Sequence, residues 1–153
     1  MDSIDKQILE ILQENSKTSN AKLAEQVGMA PSTTLERVRK LEEKGYIQRY
    51  TAVLDQEKLG YNMLVSILVT LAAHQKEALH KFVDYVVKLP EVLECYTVTG
   101  RFDYMLKVIV RDKNDLERII REEIMQIPDV DRAETLVILK KHKETNAIKV
   151  FED

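Results

Sequence analysis

The chain has 153 residues, enough for one ordinary domain or two small ones, and its composition of 44% hydrophobic and 32% charged residues excludes a disordered or fibrous protein. No apolar run reaches the roughly 18 residues of a membrane span, and the acidic start Met1–Asp5 differs from a secretion signal, so we expect a cytoplasmic protein without a membrane partner. The net charge of −3 argues against a protein that coats nucleic acid by bulk positive charge.

Cysteine and histidine are too sparse to predict a metal centre or a disulfide. The single cysteine, Cys95, cannot form an internal disulfide, and we expect it to be a buried, inert thiol. His74, His80 and His142 are scattered and do not have the spacing of metal ligands. Neither a metal nor a cofactor is therefore predicted.

Three helices are predicted in the first part of the chain. Apolar residues at helical spacing predict the first over Ser3–Leu12, a second short helix ends at Gly28, and the third runs from Pro31 to Gly45. Residues 46–54 are rich in β-branched and aromatic side chains, which favour a strand or a small hairpin. Three short helices followed by a β-ribbon indicate a winged helix-turn-helix, which places the third helix in the major groove of DNA.

The later part of the chain alternates strands and helices in the order βαββαβ. The predicted strands are Met63–Leu71, Val92–Thr99, Phe102–Val110 and Ala133–Leu139. The predicted helices run from about Gln75 to Leu89 and through Leu116–Ile127, each followed by a proline. This order predicts an α+β protein whose second domain is ferredoxin-like, with one four-stranded antiparallel sheet. We expect domains at about 1–60 and 61–140 and a charged tail at 141–153.

The third helix carries the candidate DNA-binding residues. Its apolar stripe of Leu35, Val38 and Leu41 is expected to face the other two helices. The polar residues expected to point away from them are Ser32, Thr33, Glu36, Arg37, Lys40 and Lys44. Residues near the helix N-terminus reach base edges, so Arg37 is expected to contact a base and Lys40 a phosphate. A merely solvated amphipathic helix would show the same charges, but the turn and the ribbon favour DNA binding.

A recognisable pattern runs through Asp2–Asp5, Ile8–Leu9, Leu12–Asn15, Ser19–Asn20, Leu23–Ala24, Val27–Gly28, Glu36–Ile47, Val98–Tyr104 and Ile127–Val130. These segments resemble the leucine-responsive regulatory protein and AsnC family, also called feast/famine regulators. The resemblance covers nearly the whole chain and implies a DNA-binding transcription regulator. One departure is Ala30, because the family usually has a serine that can cap the third helix at this position.

A tight hairpin, Thr97–Tyr104, offers groups that an amino acid needs. Asp103 could pair with an ammonium, and the backbone at Thr99 and Gly100 could bind a carboxylate. The resemblance implies that effectors, usually amino acids, bind near this turn at the contact between dimers, with the last strand lining the other side. The candidate residues are Thr97, Thr99, Gly100, Asp103, Tyr104, Thr135 and Leu136. In the alternative, Gly100 only makes the turn, and Asp103 caps it or pairs with Arg101.

The predicted sheet also indicates an assembly. Met63–Leu71 and Met105–Val110 carry too many apolar side chains for a solvated face, so we expect two copies to pack their sheets together. The resemblance implies further association, to a tetramer or an octamer. Two other functions stay open: an architectural protein that bends or wraps DNA with little sequence preference, and an enzyme or metabolic regulatory subunit. An enzyme is not expected, because we find no nucleophile with a base, no glycine-rich phosphate loop and no paired carboxylates.

Overall fold

The structure, a computed structural model, describes residues 1–72 and 76–151. The chain forms two compact units, one made of Met1–Val53 together with the chain from Lys143 onward, and the other of Leu54–His142. In the part of the chain that is described, no helix is both long enough and apolar enough to cross a membrane.

The first unit contains the three predicted helices, α1 (Ser3–Glu14), α2 (Asn20–Val27) and α3 (Pro31–Glu43). Gly28 ends α2 in the left-handed conformation, with φ of 68°, which a residue without a side chain adopts at little cost. The helices pack around a small core of buried side chains, Ile8, Leu23, Val27 and Leu41. This core fixes the position of α3, the helix that carries the candidate DNA-binding residues.

The predicted strand or hairpin over residues 46–54 is wrong for the single chain. No residue of this segment belongs to a strand, although Ile47 packs against the helical core. The Tyr50 hydroxyl donates a hydrogen bond of 2.8 Å to Glu42, and desolvation together with this carboxylate raises the pKa of Tyr50 to about 12. Side-chain contacts rather than a ladder therefore hold the segment to α3.

The end of the chain also belongs to the first unit. The side-chain amide of Gln13 donates a hydrogen bond of 3.0 Å to the Ile148 carbonyl and accepts one of 2.8 Å from the Ile148 N–H. This pair copies the two hydrogen bonds that a neighbouring strand would make. The segment around Ile148 is therefore bound to α1 by its backbone, while the Ile148 side chain stays exposed.

The second unit has the predicted four-stranded antiparallel sheet. The strands are β1 (Met63–Leu71), β2 (Val92–Thr97), β3 (Tyr104–Val110) and β4 (Val130–Val137), in the spatial order β2-β3-β1-β4. The predicted bounds of β1 are confirmed. β2 and β3 differ from the prediction by two residues at one end, and β4 by three residues at its start and two at its end, because the hydrogen-bonded ladder rather than side-chain type decides these limits.

Two helices follow β1 and β3, as predicted. One is α4 (Lys76–Val86); its predicted start at Gln75 lies outside the described residues, and it ends before the predicted Leu89. The other is α5 (Lys113–Arg118), which continues through a π-helical turn (Ile119–Glu123) and a 3-10 turn (Ile124–Gln126). Phe82, Ile119 and Ile124 are fully buried against the sheet, so both helices cover one of its faces.

Strand alternation separates the two faces of the sheet. On β1 the fully buried residues are Val65, Ile67, Val69 and Leu71, and the partly exposed residues between them are Leu64, Ser66, Leu68 and Thr70. Leu68 is paired with Met105 on β3, and Leu64 with Ile109. This face lies opposite the two helices and carries the apolar Leu64, Leu68, Met105 and Ile109 beside the polar Ser66, Lys107 and Glu134.

Candidate nucleic-acid interface and effector site

The face of α3 that packs into the first unit differs from the predicted stripe by one position. Thr34 is fully buried, Leu41 is 3% exposed and Val38 packs against the core. The Thr34 hydroxyl donates a hydrogen bond of 3.1 Å to the Ala30 carbonyl, so its burial leaves no polar group unpaired. Leu35, which was expected in the inward stripe, is 40% exposed and is not one of the buried residues of this core.

Arg37 faces α1 rather than pointing away from it, which corrects its predicted orientation. Its guanidinium lies 2.6 Å from a carboxylate oxygen of Asp2 and 2.7 Å from one of Asp5. These two aspartates also form the reciprocal capping box at the start of α1, in which each side chain accepts a backbone N–H of the other. One arginine therefore ties the capped end of α1 to the middle of α3.

The carboxylates and the guanidinium of this cluster shift one another's protonation. Hydrogen bonds from the Asp5 backbone N–H and then from Arg37 hold the pKa of Asp2 below its ordinary value. Hydrogen bonds to Asp5 and Asp2 raise the pKa of Arg37. Since the folded pKa of Asp2 is the lower one, its ionisation stabilises the fold above about pH 4 and this contribution is lost as the pH falls through the lowered pKa.

We expect Arg37→Ala to raise the pKa of Asp2, because one of its two main hydrogen-bond donors is removed. The pKa should stay below that of a free aspartate, because the donor with the larger effect, the Asp5 N–H, remains. NMR titration of the Asp2 carboxyl in both proteins measures the shift. An unchanged pKa of Asp2 would show that Arg37 does not bind this carboxylate in solution.

Most of the other predicted DNA-binding residues lie around one cleft of about 330 Å³ beside this cluster. The cleft is lined by Thr33, Glu36, Arg37, Lys40 and Lys44 of the predicted set and by residues of α1 and its N-terminus. Lys40 and Glu36 form an exposed ion pair of 2.9 Å, and their mutual hydrogen bond lowers the pKa of Glu36. Ser32 is exposed but does not line the cleft.

One exposed face of α3 does not coincide with the predicted outward set. Ser32, Leu35, Glu36 and Arg39 are separated by three, four and seven positions, so they share one face of the helix, and all four are exposed. Sequence reasoning missed Leu35 and Arg39, because placing Leu35 in the core rotated the expected outward face. The burial of Thr34 identifies which face of α3 packs into the first unit.

The start of α3 shows the consequence of the alanine noted in the sequence. Ala30 occupies the N-cap position in extended conformation, and no side chain caps the helix there. Pro31 occupies the first turn, where its missing N–H costs nothing. The side-chain amide of Asn20 donates a hydrogen bond of 2.7 Å to the Pro31 carbonyl, which ties α2 to this end of α3.

The hairpin between β2 and β3 is formed as predicted. The Val98 N–H donates a hydrogen bond of 3.0 Å to the Asp103 carbonyl, and Thr97 pairs with Tyr104. Gly100 has φ of 114°, a conformation that other residues rarely adopt, and the space where a Cβ would lie is open. The Thr99 and Gly100 backbone is thus exposed and can be approached closely.

Asp103 is held at the end of β1. One oxygen of its carboxylate accepts a hydrogen bond of 2.8 Å from the Leu71 N–H, and its own N–H donates one of 2.9 Å to the Val69 carbonyl. The half-buried Asp103 side chain therefore stabilises the junction between the hairpin and the sheet. This agrees in part with the alternative interpretation, in which Asp103 caps the turn. The Arg101 guanidinium lies over the Phe102 ring, 5.2 Å from its centre.

The remaining predicted effector residues are dispersed in one chain. Tyr104 is 3% exposed and its ring centre lies 4.6 Å from that of Phe82, so its side chain belongs to the core and its assignment to the effector site is corrected. Thr135 pairs with Ile67 on β1, about 14 Å along this strand from the residue that binds Asp103. Leu136 follows directly and points to the opposite face.

The environment of Cys95 and the arrangement of possible metal ligands bear on the predictions made for them. Cys95 is half-buried rather than fully buried, and desolvation raises the pKa of its thiol, which disfavours the reactive thiolate. Within residues 1–72 and 76–151, no three histidine, cysteine or acidic side chains are arranged to hold a metal ion. His74 lies outside the described residues.

Comparisons with known proteins match both units. The family described as Lrp/AsnC ligand binding domain matches residues 64–148, and a winged helix-turn-helix DNA-binding family matches residues 1–48. The chain is 35% identical to the transcriptional regulator AzlB of Bacillus subtilis over 152 residues, which are 99% of this chain and 97% of that protein. It is 37% identical to the leucine-responsive regulatory protein of Escherichia coli over 148 residues, 97% of this chain and 90% of that protein.

Solved structures give the same result. A transcriptional regulator of Neisseria meningitidis, solved in complex with L-methionine, superposes with a TM-score of 0.93 at 32% identity and covers 97% of this chain and 96% of its own. AsnC of Escherichia coli superposes with a TM-score of 0.89 at 30% identity, covering 98% and 99%. The chain therefore belongs to the Lrp/AsnC family of DNA-binding transcription regulators with a ligand-binding domain.

Proposed function

We propose that this regulator prefers particular DNA sequences and that its assembly or its DNA binding responds to an amino acid. The observation that carries the proposal is the presence, in one chain, of a helix-turn-helix with an exposed polar helix face and of a ligand-binding domain whose relative was solved with L-methionine. An effector can change DNA binding only if it binds two states of the protein with different affinity.

On the DNA side, α3 is the reading element. Lys40 and Lys44 are exposed in its last turns and suit phosphate contacts, which position the protein without reading sequence. Ser32 and Thr33 lie at its N-terminal end, which approaches base edges when such a helix enters the major groove. Contact of Arg37 with a base remains a prediction, and it requires the guanidinium to leave Asp2 and Asp5.

On the effector side, the hairpin at Thr97–Asp103 suits an amino acid. The open backbone at Thr99 and Gly100 can donate to a carboxylate, and the Asp103 carboxylate supplies negative charge for an ammonium. Leu136 lies on the uncovered face of β4 and is too far from Asp103 in the same chain to share a ligand of this size. A ligand that touches both regions would therefore bridge two copies, so binding and assembly would be coupled.

The assembly that we propose is a dimer through the uncovered sheet face and its apolar side chains, with further association to a tetramer or an octamer. Two joined reading helices can occupy two half-sites about a helical turn apart, and the second contact gains from the high effective concentration. The sheet face is apolar enough to become the core of such an interface.

The effector is tested by thermal unfolding of the whole protein in the presence of each of the twenty amino acids. A ligand at about a hundred times its dissociation constant stabilises the folded protein by about 2.7 kcal/mol, so a true effector should raise the melting temperature clearly. Titration with DNA then shows whether the same amino acid changes the affinity. If none of the twenty raises the melting temperature, the effector is not an amino acid.

The alternative function is an architectural protein that bends or wraps DNA with low sequence preference. The overall charge of −3 gives it no general attraction for phosphate, which favours focal contact by α3. Competition between a selected site and random DNA separates the two functions. A regulator should prefer its site by about a thousandfold or more, whereas an architectural protein should show nearly equal affinities.

A further inference from the structure

The orientation of α3 leaves one large apolar side chain on its outward face. The inward face is occupied by Thr34, Val38 and Leu41, and Arg37 is bound by the aspartates of α1. Leu35 is 40% exposed and is not one of the buried or partly buried side chains of the core of the first unit. A single exposed leucine is ordinary on a protein surface, so its significance depends on where it lies.

Leu35 lies on the face that a major groove would meet. It follows Ser32 by three positions and precedes Arg39 by four, so the three side chains form one row along the helix. Ser32 can donate to a base or a phosphate, and Arg39, which is exposed, can bind a phosphate or a guanine. A leucine between two such groups faces the DNA when they contact it.

The major groove offers one apolar group on its base edges, the 5-methyl group of thymine. A leucine placed against cytosine or adenine would cover an amino group without satisfying it, which costs free energy. We propose that Leu35 is a specificity-determining residue that contacts the methyl group of a thymine in the major groove. The proposal rests on the sequence-preferring DNA binding proposed above.

The test uses a duplex selected from a random DNA library by the full-length wild-type protein. Each thymine of that duplex is replaced in turn by deoxyuridine, which removes the methyl group and keeps the base pair. At one or more positions the wild type is expected to bind about fourfold more weakly, which corresponds to about 0.8 kcal/mol for one buried methyl group. Leu35→Ala is expected to bind the original duplex more weakly and to lose most of this sensitivity to deoxyuridine.

The control variant is Leu59→Ala, which shortens a leucine that is 58% exposed in the second unit. It should keep the sensitivity of the wild type, and circular dichroism should show that Leu35→Ala keeps its helices. Equal affinity of the wild type for all the deoxyuridine duplexes overturns the inference, as does an undiminished penalty in Leu35→Ala. A selection that enriches no sequence overturns the sequence preference as well, so the two failures are distinguishable.

Discussion

Leu68→Lys is expected to make the protein monomeric at concentrations at which the wild type is dimeric. Leu68 lies at the centre of the uncovered sheet face, paired with Met105 on one side and Glu134 on the other. In a dimer the new ammonium would be desolvated at the interface, at a cost of several kcal/mol that an ion pair with Glu134 need not offset. A weakening of the dimer by about a hundredfold or more follows, since each 1.4 kcal/mol is a factor of ten.

The lysine is chosen because Glu134 can pair with it across the strands, so the single chain should still fold. Val108→Lys is the informative contrast, because Val108 is fully buried on the helix-covered face and its replacement should unfold the second unit. Leu59→Lys adds the same charge at an exposed position outside the sheet and should leave the assembly unchanged. Sedimentation measures all four proteins, and a Leu68→Lys variant that sediments like the wild type contradicts the proposed interface.

Asp103→Asn is expected to remove the response to the amino acid at concentrations that suffice for the wild type, while DNA binding by the ligand-free protein is retained. The carbonyl oxygen of asparagine can still accept the hydrogen bond from the Leu71 N–H, so the hairpin should keep its position. The negative charge that would pair with an ammonium is lost. A charge-assisted hydrogen bond contributes about 1.5–3 kcal/mol, so effector affinity should fall by about tenfold to a hundredfold.

Calorimetry measures the affinity of the amino acid that raises the melting temperature of the wild type. Asp84→Asn is the matched control, because it removes the same charge from an exposed position on α4, on the helix-covered side of the sheet. If Asp103→Asn binds the effector as tightly as the wild type, the carboxylate of Asp103 serves only the turn. If the variant also loses DNA binding in the absence of the effector, Asp103 is required for the folded structure rather than for the effector.

The elements that depend on local pattern could be predicted from the sequence. β1 alternates between buried and partly exposed residues over a long apolar run, and its bounds were predicted correctly. The segment at 46–54 has an equally strong β-type composition and forms no strand, because a strand requires a partner whose backbone is in register. The amino-acid composition of a segment therefore shows only that it can form a strand when such a partner is present.

The candidate DNA interface shows a different limit. Leu35, Val38 and Leu41 form an apolar stripe at helical spacing, but Thr34 takes the inward position because its hydroxyl bonds to the Ala30 carbonyl and leaves only its methyl group to pack. The ion pairs of Arg37 join residues that are 32 and 35 positions apart, and no local pattern indicates such a contact. The family of the chain was predicted correctly, whereas the direction in which individual side chains point required the structure.

The hydrogen bonds between Gln13 and Ile148 have a consequence for the order in which the protein matures on the ribosome. These two residues are 135 positions apart, so at about 5–20 residues per second the partner of Gln13 is made on the order of ten seconds after it. The whole of Leu54–His142 is synthesised in between. The unit that reads DNA therefore begins to form first and is completed last, after the ligand-binding sheet has had time to fold.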